Sequence, residues 1–410
     1  MFGHHSPTPY LKKNISLDKT TRVAIIGSGL AGLTAAYQLG AAGVVVTVLE
    51  RQARVGGRAL TLRSFFSPGL VAQAGPSRFL GTFSRVTRFA AQFGLDIAPF
   101  YPSTGSIAAY LGGIRHTDYR PATDDFWGYA GEIAPNKGGR FIARLVKAVK
   151  RLRARLLGRP HRDTFRFRDG TDSLAAALAT ASRADFLLGA TVRSITQDET
   201  GARVHYTTDQ GEQSLAADYV VCAVPLSILP ELHFAPPLPR SKTEMASTIP
   251  FASAIRIFLE MRRPFWRDQG FNGFAITDTV GEVWDAHPDV PGGPSLLVCY
   301  ARETLADHLS RLDPESRIDY AVAEIERLFP GARRNFVRGT SFSWREQPWV
   351  HGGWPLMRDR ENMVELTREP HGRVLFAGDY AASADLLNMT EGAIESAEHV
   401  VAQITSRRSD

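Results

Sequence analysis

Cysteine is nearly missing from this chain, with Cys222 and Cys299 alone among 410 residues. Both sit in apolar runs, VVCAV and LLVCY. That excludes a disulfide framework and a cysteine-based zinc site, and two free buried thiols are expected. No pair of histidines stands four apart on a clear helix, and no serine-centred nucleophile motif occurs, so neither a metal nor serine-based covalent catalysis is expected. No run is long and apolar enough to span a bilayer. Residues 1–20 form a polar leader with Lys12, Lys13, Asp18 and Lys19 but without the apolar centre of a secretion signal, so the expected location is the cytoplasm. Internal repeats and low-complexity tracts are absent. A net charge of +6 and a pI near 9.4 allow acidic partners, yet the balance is that of a mildly basic enzyme and no nucleic-acid partner is expected.

What is present is the ordinary mix of a globular protein, 44% hydrophobic and 22% charged, in a chain long enough for two domains. Val23-Ala24-Ile25-Ile26 reads as a short buried strand. Gly27-Ser28-Gly29-Leu30-Ala31-Gly32 turns it into an Ala/Leu-rich helix reaching about Leu39, and Val44 to Leu49 forms a second strand ending in Glu50. This β-α-β order gives each glycine a task. Gly27 allows the tight turn, Gly29 lets backbone approach a pyrophosphate, and Gly32 lets the helix pack on the strand. The helix N-terminus then faces the phosphates with its N–H groups, and Glu50 sits where it can accept hydrogen bonds from a ribose.

Further along, helices are expected from about Ser84 to Gly94 and over roughly 171–182. Strands with polar turns run from Ala190 to Val224, and Pro225 stops the last of them. Four prolines between Pro230 and Arg240 mark a crossing into a second domain. The chain closes with a strand from Val374 to Ala377, Gly378-Asp379, and a helix from about Thr390.

The residues after the second strand, Glu50-Arg51-Gln52-Ala53-Arg54-Val55-Gly56-Gly57-Arg58, resemble the E-R-x-x-R-x-G-G-R segment of the flavin amine oxidase superfamily, L-amino-acid oxidases among its members. Gly56-Gly57 lets the backbone pass close to a ligand, and Arg58 offers a fork for phosphate. The resemblance continues through Ala74-Gly75-Pro76-Ser77-Arg78-Phe79, similar to the family's segment beside the flavin, and Val192, on the strand that backs the adenine. It extends through Ala254 to Pro264-Phe265-Trp266, Trp344 through Gly352-Gly353-Trp354, and Leu375-Phe376-Ala377-Gly378-Asp379-Tyr380 with Glu391-Gly392-Ala393. The resemblance implies an α/β fold: an FAD-binding Rossmann-like (GR2-type) domain from 21–82, 166–234 and 365–406, and an α+β substrate domain on a mixed sheet from 83–165 and 235–364. It implies that Arg78 meets a substrate carboxylate, with an FAD-phosphate or structural partner as the competing reading. Asp379 would meet the ribityl–phosphate end, with Met389 and Thr390 beside the flavin.

Four departures from the family pattern stand out. Arg256 occupies the place of a lysine that holds a water near the flavin, and a guanidinium cannot share its proton as an amine does. Asn388-Met389-Thr390 precede Glu391 without the usual aromatic; Met389 has the choice of the flavin ring or the core. No cysteine lies near His351-Gly352-Gly353, so FAD is expected to be non-covalent. The insertion between about 105 and 165 is short, which implies a reduced lid. Within it, residues 140–159 combine Phe141, Leu145, Val149, Leu152 and Leu156 at helical spacing with Arg144, Lys147, Lys150, Arg151, Arg153 and Arg155. Such a helix packs its stripe in the ordinary case and can otherwise meet a membrane surface or an acidic protein. A homodimer remains open. Tyr300 is read as a core tyrosine, with a place in the site as the alternative.

The function expected is oxidation of a C–N bond in an amino acid or related amine by hydride transfer to flavin N5, with O2 or another electron acceptor closing the cycle. Arg78 and Arg256 are the candidate catalytic residues. The alternatives are a desaturase acting on a C–C bond of an apolar substrate and a non-catalytic flavin-binding protein.

Overall fold

The computed structural model describes residues 21–102, 104–119, 164–357 and 359–406. The polar leader 1–20 and the basic segment 140–159 lie outside the described residues. Arg22–Ile26 is the middle of a five-stranded parallel sheet, ordered Asp185–Leu188, Val45–Glu50, Arg22–Ile26, Tyr219–Cys222, Val374–Phe376. A parallel sheet covered on both faces needs apolar side chains on both, which is why these strands read as continuous hydrophobic runs rather than alternating ones. The helices Leu30–Ala41 and Thr390–Ser406 cover one face through Ala31, Ala35, Leu39, Ala397, Val400 and Ile404. The small residues of the first helix let it sit close to its neighbour. The other face carries Ala24, Ile26, Val220 and Cys222 against Val204 and Ile195 of a four-stranded sheet, ordered Gly211–Ala217, Ala202–Thr208, Thr191–Gln197, His233–Ala235.

A mixed seven-stranded sheet makes the other half, ordered Phe336–Ser343, Ala254–Met261, Ser295–Arg302, Glu282–Asp285, Phe271–Thr277, Ser106–Leu111, Ile114–His116. Only the pairing of Phe271–Thr277 with Ser106–Leu111 is parallel. Side chains alternate along a strand, so Ala254–Met261 divides its residues between two environments. Ile255, Ile257, Leu259 and Met261 enter a core with Ala306 and Leu309 of Glu303–Leu309 and Ala321, Ile325 and Leu328 of Pro314–Leu328. Each buried Ile, Leu or Met side chain here contributes about 2 kcal/mol relative to exposure. Arg256 and Phe258 point the other way. There Phe258 packs with Ala72, Ala74, Trp284 and Val298, so this face looks toward the segment that follows the glycine pair.

The helix Ser84–Gln92 differs from the sequence expectation, which grouped residues 83–165 with the substrate domain. Its apolar stripe, Val86, Phe89 and Ala90, packs with Leu30, Leu33, Leu174 and Ile394. Arg85 and Arg88 bind Glu398, and Arg85 also binds Glu391, both acids belonging to the last helix. The stripe is satisfied by the nearest apolar surface, which belongs to the dinucleotide half. Among the described residues no helix is long and apolar enough to cross a membrane.

Candidate active site

Local geometry around the glycine turn is tight on every side except one. Gly27 has φ +96, and a Cβ there would lie 2.9 Å from the Ala223 carbonyl oxygen. A Cβ on Gly32 would fall 2.0 Å from the Gly27 carbonyl oxygen, so the helix rests directly on the turn. Gly29 is the exception: a Cβ there would find no atom within 4 Å. Gly29 also ends the helix Leu30–Ala41 without a side-chain cap, which leaves that N-terminus to an outside acceptor. Leu30 and Ala31 are buried against the core and contribute packing. Glu50 closes the cradle. One of its carboxylate oxygens accepts from Ser28 N at 2.8 Å and Ser28 Oγ at 2.7 Å, and the other accepts from Gln52 N at 2.8 Å.

The glycine pair lies against this turn. Gly56 bridges Gly29, and a Cβ on Gly57 would come within 3.0 Å of Gly29 Cα. Arg54, absent from the candidate residues drawn from the sequence, donates to the Val55 carbonyl at 3.1 Å and the Gly57 carbonyl at 2.8 Å and so braces the loop. Arg51 is exposed. Arg58 donates to the Gly353 carbonyl at 2.7 Å and is ion-paired with Asp379. Gly75 runs along Arg58 so closely that a Cβ would lie 1.9 Å from its carbonyl oxygen. The neighbouring Pro76 carbonyl accepts from Thr171 Oγ1 at 2.6 Å. Gly378 N donates to Ser396 Oγ at 2.9 Å, and Asn388 N donates to the Asp379 carbonyl at 3.0 Å. Thr390 then opens the last helix. Met389 is 39% exposed, so it does not fill the core. Val192 is buried on its strand, beside a register irregularity between Val192 and Ser194. Glu391 caps the helix Ser84–Gln92, accepting from Arg85 N and Val86 N at 3.0 Å each. The open face of Gly29, the uncapped helix end, the acid closing the second strand and the Arg58–Asp379 pair fit the pyrophosphate and ribose of a dinucleotide.

From this cradle the segment Gln73–Arg78 leads to a buried charged cluster. Trp344 Nε1 donates to the Ala74 carbonyl at 2.9 Å. Arg256 donates to the Gln73 carbonyl and approaches Ser77 Oγ at 3.4 Å. Arg78 does not reach outward: it donates to Glu282 Oε2 at 2.7 Å, with side chains 3% and 1% exposed. Arg302 holds the other oxygen of Glu282 at 3.0 Å. The register explains the gathering. Phe342 pairs with Arg256, Arg256 with Tyr300, and Tyr300 with Glu282. Directly opposed residues share a sheet face, so the four form one row across four strands. Tyr300 therefore faces the charged cluster while also packing against the core beside Trp284 and Phe342. Arg256 lies 4.7 Å from the Tyr300 ring centre and 5.5 Å from that of Trp284, while Arg78 stands 5.1 Å from the Phe100 ring.

Two guanidiniums, Arg78 and Arg302, thus share one carboxylate behind aromatic walls, with Arg256 beside them. Burial acts to lower the pKa of Arg78, but Glu282 together with Tyr101 and Tyr300 outweighs it and holds the proton above the ordinary arginine range. Arg256 has no carboxylate of its own. Burial pushes its pKa down to about 10, Tyr300 opposes that fall, and the charge of Arg78 adds to it. Its Nε is buried without a hydrogen-bond partner. At neutral pH all this leaves excess positive charge.

Glu282, Arg302 and Trp284 escaped the sequence reading. One signal was available: Glu282 is an acid in a short strand whose residues are all buried, EVWD, and such an acid needs a cation. Both cysteines are free and buried, with burial pushing their thiols up to about 12, which makes them inert at neutral pH. Among the described residues no group of three or more His, Cys, Asp or Glu could hold a metal ion.

A dinucleotide cradle joined to a second sheet bearing a buried cationic cluster places the chain among the dinucleotide-binding proteins of the α/β type. The chain belongs to the flavin-containing amine oxidoreductase family, whose profile matches residues 30–159 and 153–405, and FAD is its cofactor. It is 25% identical over 429 residues to an L-amino-acid oxidase of Bothrops jararacussu, covering 88% of this chain and 86% of that one. An L-amino-acid oxidase of Mus musculus is 26% identical over 428 residues, covering 89% and 68%. Among solved structures, putrescine oxidase superposes with a TM-score of 0.76 at 22% identity, covering 94% of this chain and 99% of that one. Cyclohexylamine oxidase from Brevibacterium oxydans IH-35A gives 0.77 at 20% identity, covering 95% and 100%. The family and fold class expected from sequence are borne out.

Proposed function

We propose that this chain oxidises the C–N bond of an amino acid or related amine, with O2 or another acceptor taking the electrons onward. The observation that carries the reading is the buried cluster of Arg78, Arg256 and Arg302 around Glu282 at the end of the segment leading from the dinucleotide cradle. Bound FAD supplies the two-electron acceptor for hydride from the carbon bearing nitrogen, leaving an imine that hydrolyses in water.

Gly29, the helix N-terminus, Glu50, Arg58 and Asp379 would hold that cofactor. An amine in water is mostly ammonium, whose nitrogen has no lone pair to assist hydride loss. Excess positive charge in a buried site disfavours a further cation, so the arginines favour the neutral amine on binding. Phe100, Trp284, Tyr300 and Phe342 surround the cluster with aromatic surface, which excludes water and strengthens each electrostatic interaction. Arg256 carries an unused N–H and is the group placed to orient a polar atom there.

Anaerobic titration of the holoenzyme with amines and amino acids, followed by admission of air, tests the reading. Bleaching of the flavin band by some of them is the expected result, and recovery with peroxide release would establish O2 as acceptor. Bleaching by apolar polyenes and by no amine would overturn it in favour of C–C desaturation.

A further inference from the structure

We infer that Glu282 is a resident carboxylate filling the arginine fork at Arg78, and that it makes the site select amines lacking a carboxylate on the carbon bearing nitrogen. This rests on the amine-oxidising reading above and narrows it.

An arginine recognises a carboxylate by presenting a free pair of N–H groups to its two oxygens. At Arg78 that role is already filled within the chain. Glu282 Oε2 lies 2.7 Å from one Arg78 terminal nitrogen, and Glu282 Oε1 lies 3.0 Å from Arg302, so both oxygens of this carboxylate are in ion pairs. The pair cannot open by a simple side-chain swing. Glu282 stands opposite Tyr300 in the sheet, its neighbour Val283 is fully buried in the helix-covered core, and Trp284 packs among Phe100, Tyr300 and Phe258. Arg78 lies against the adjoining rings of Phe100 and Trp284, at 5.1 and 5.7 Å.

An α-carboxylate entering here would displace Glu282 or lie beside it. Displacement takes from a buried carboxylate one of its two cations and leaves it Arg302 alone, and coexistence sets two like charges together. Arg256 offers no substitute fork, because its two terminal nitrogens are directed at the Gln73 carbonyl and Ser77 Oγ and only Nε is unpartnered. A neutral amine without the carboxylate meets neither penalty. It finds aromatic walls and a site whose excess positive charge disfavours its protonation.

The test compares two compounds that differ only in the carboxylate, L-phenylalanine and phenethylamine, as reductants of the holoenzyme under anaerobic conditions. Benzoate binding, read from perturbation of the oxidised flavin spectrum, supplies a measurement independent of turnover. In the wild-type protein, phenethylamine is expected to reduce the flavin at least 100-fold more efficiently than L-phenylalanine. Glu282→Gln, which keeps the shape and removes the charge, should bind benzoate at least tenfold more tightly and move the amine to amino-acid ratio at least tenfold toward the amino acid. The double variant Arg78→Gln, Glu282→Gln should lose that gain, since the uncovered fork is gone. Wild-type reduction by L-phenylalanine as fast as by phenethylamine would overturn the proposal, as would unchanged benzoate affinity in Glu282→Gln. If neither compound reduces the flavin, the amine-oxidising reading suffers and the benzoate titration still decides the role of Glu282. If Glu282→Gln fails to fold, the wild-type comparison decides.

Discussion

Arg78 and Glu282 stand 204 residues apart in the chain and 2.7 Å apart in the structure. The first belongs to the segment that leaves the dinucleotide cradle, the second to an inner strand of the other sheet. Their pairing ties the two halves at the point where the chemistry is placed. A buried ion pair broken on one side costs roughly 3–5 kcal/mol, so this contact also fixes the position of Gln73–Arg78 over the sheet.

Glu50 holds three donors, Ser28 N, Ser28 Oγ and Gln52 N. Glu50→Gln removes the charge and turns one acceptor into a donor facing donors. Hydrogen bonds to charged groups are each worth about 1.5–3 kcal/mol. FAD affinity, measured by equilibrium titration of the apoprotein, should fall roughly tenfold to 100-fold on this basis.

Gly32→Ala puts a methyl 2.0 Å from the Gly27 carbonyl oxygen. Backbone on both sides cannot yield without opening the turn. The purified variant should carry little or no flavin, as read from its visible absorbance. Gly29→Ala meets no protein atom and should fold with the wild-type melting temperature while binding FAD more weakly, because its methyl occupies the face left open for the phosphates.

Arg256 adds a positive charge that disfavours an ammonium in the site. Replacing it with Met removes that charge, so the bound amine should hold its proton to a higher pH. The acid limb of the flavin-reduction rate against pH should then move upward by about one unit. A limb that stays in place or moves down would show that Arg256 does not act on the amine.

His287 accepts a hydrogen bond from Val71 N at 3.0 Å and is buried, which pushes its pKa down to about 4 from an ordinary value of 6.5. Burial is the main cause and the nearby Arg166 charge adds to it. Between these values the unfolded chain takes up a proton that the folded one refuses, so stability rises with pH across that window and is lost as the pH falls from 6.5 to 4. The loss is about 3 kcal/mol by linkage. Thermal melts between pH 4 and 7 should show this slope in the wild type and a shallower one in His287→Gln.

The dinucleotide half was legible because its signals are local. A glycine that must turn, a glycine that must let backbone pass and an acid ending a strand are spaced by the strand and helix themselves, so Gly27 to Glu50 could be assigned before any long-range contact was known. The apolar runs at Val23–Ile26 and Tyr219–Cys222 marked buried strands for the same reason. Arg256 was legible only through family resemblance, since nothing in the run AIRIF states which way the arginine faces.

The second half of the site was set by pairing that no local pattern encodes. Whether Tyr300 joins the core or the site depends on the register that sets it between Arg256 and Glu282. Whether Arg78 meets a ligand or a protein carboxylate depends on a strand 204 residues away. By itself the sequence determined the cofactor cradle, the family and the placement of apolar strands, because those follow from backbone geometry and solvent exclusion within a few turns of chain. Only the tertiary structure decided which charges face one another, because a buried ion pair is settled by which strands lie side by side and by the cost of leaving either partner alone.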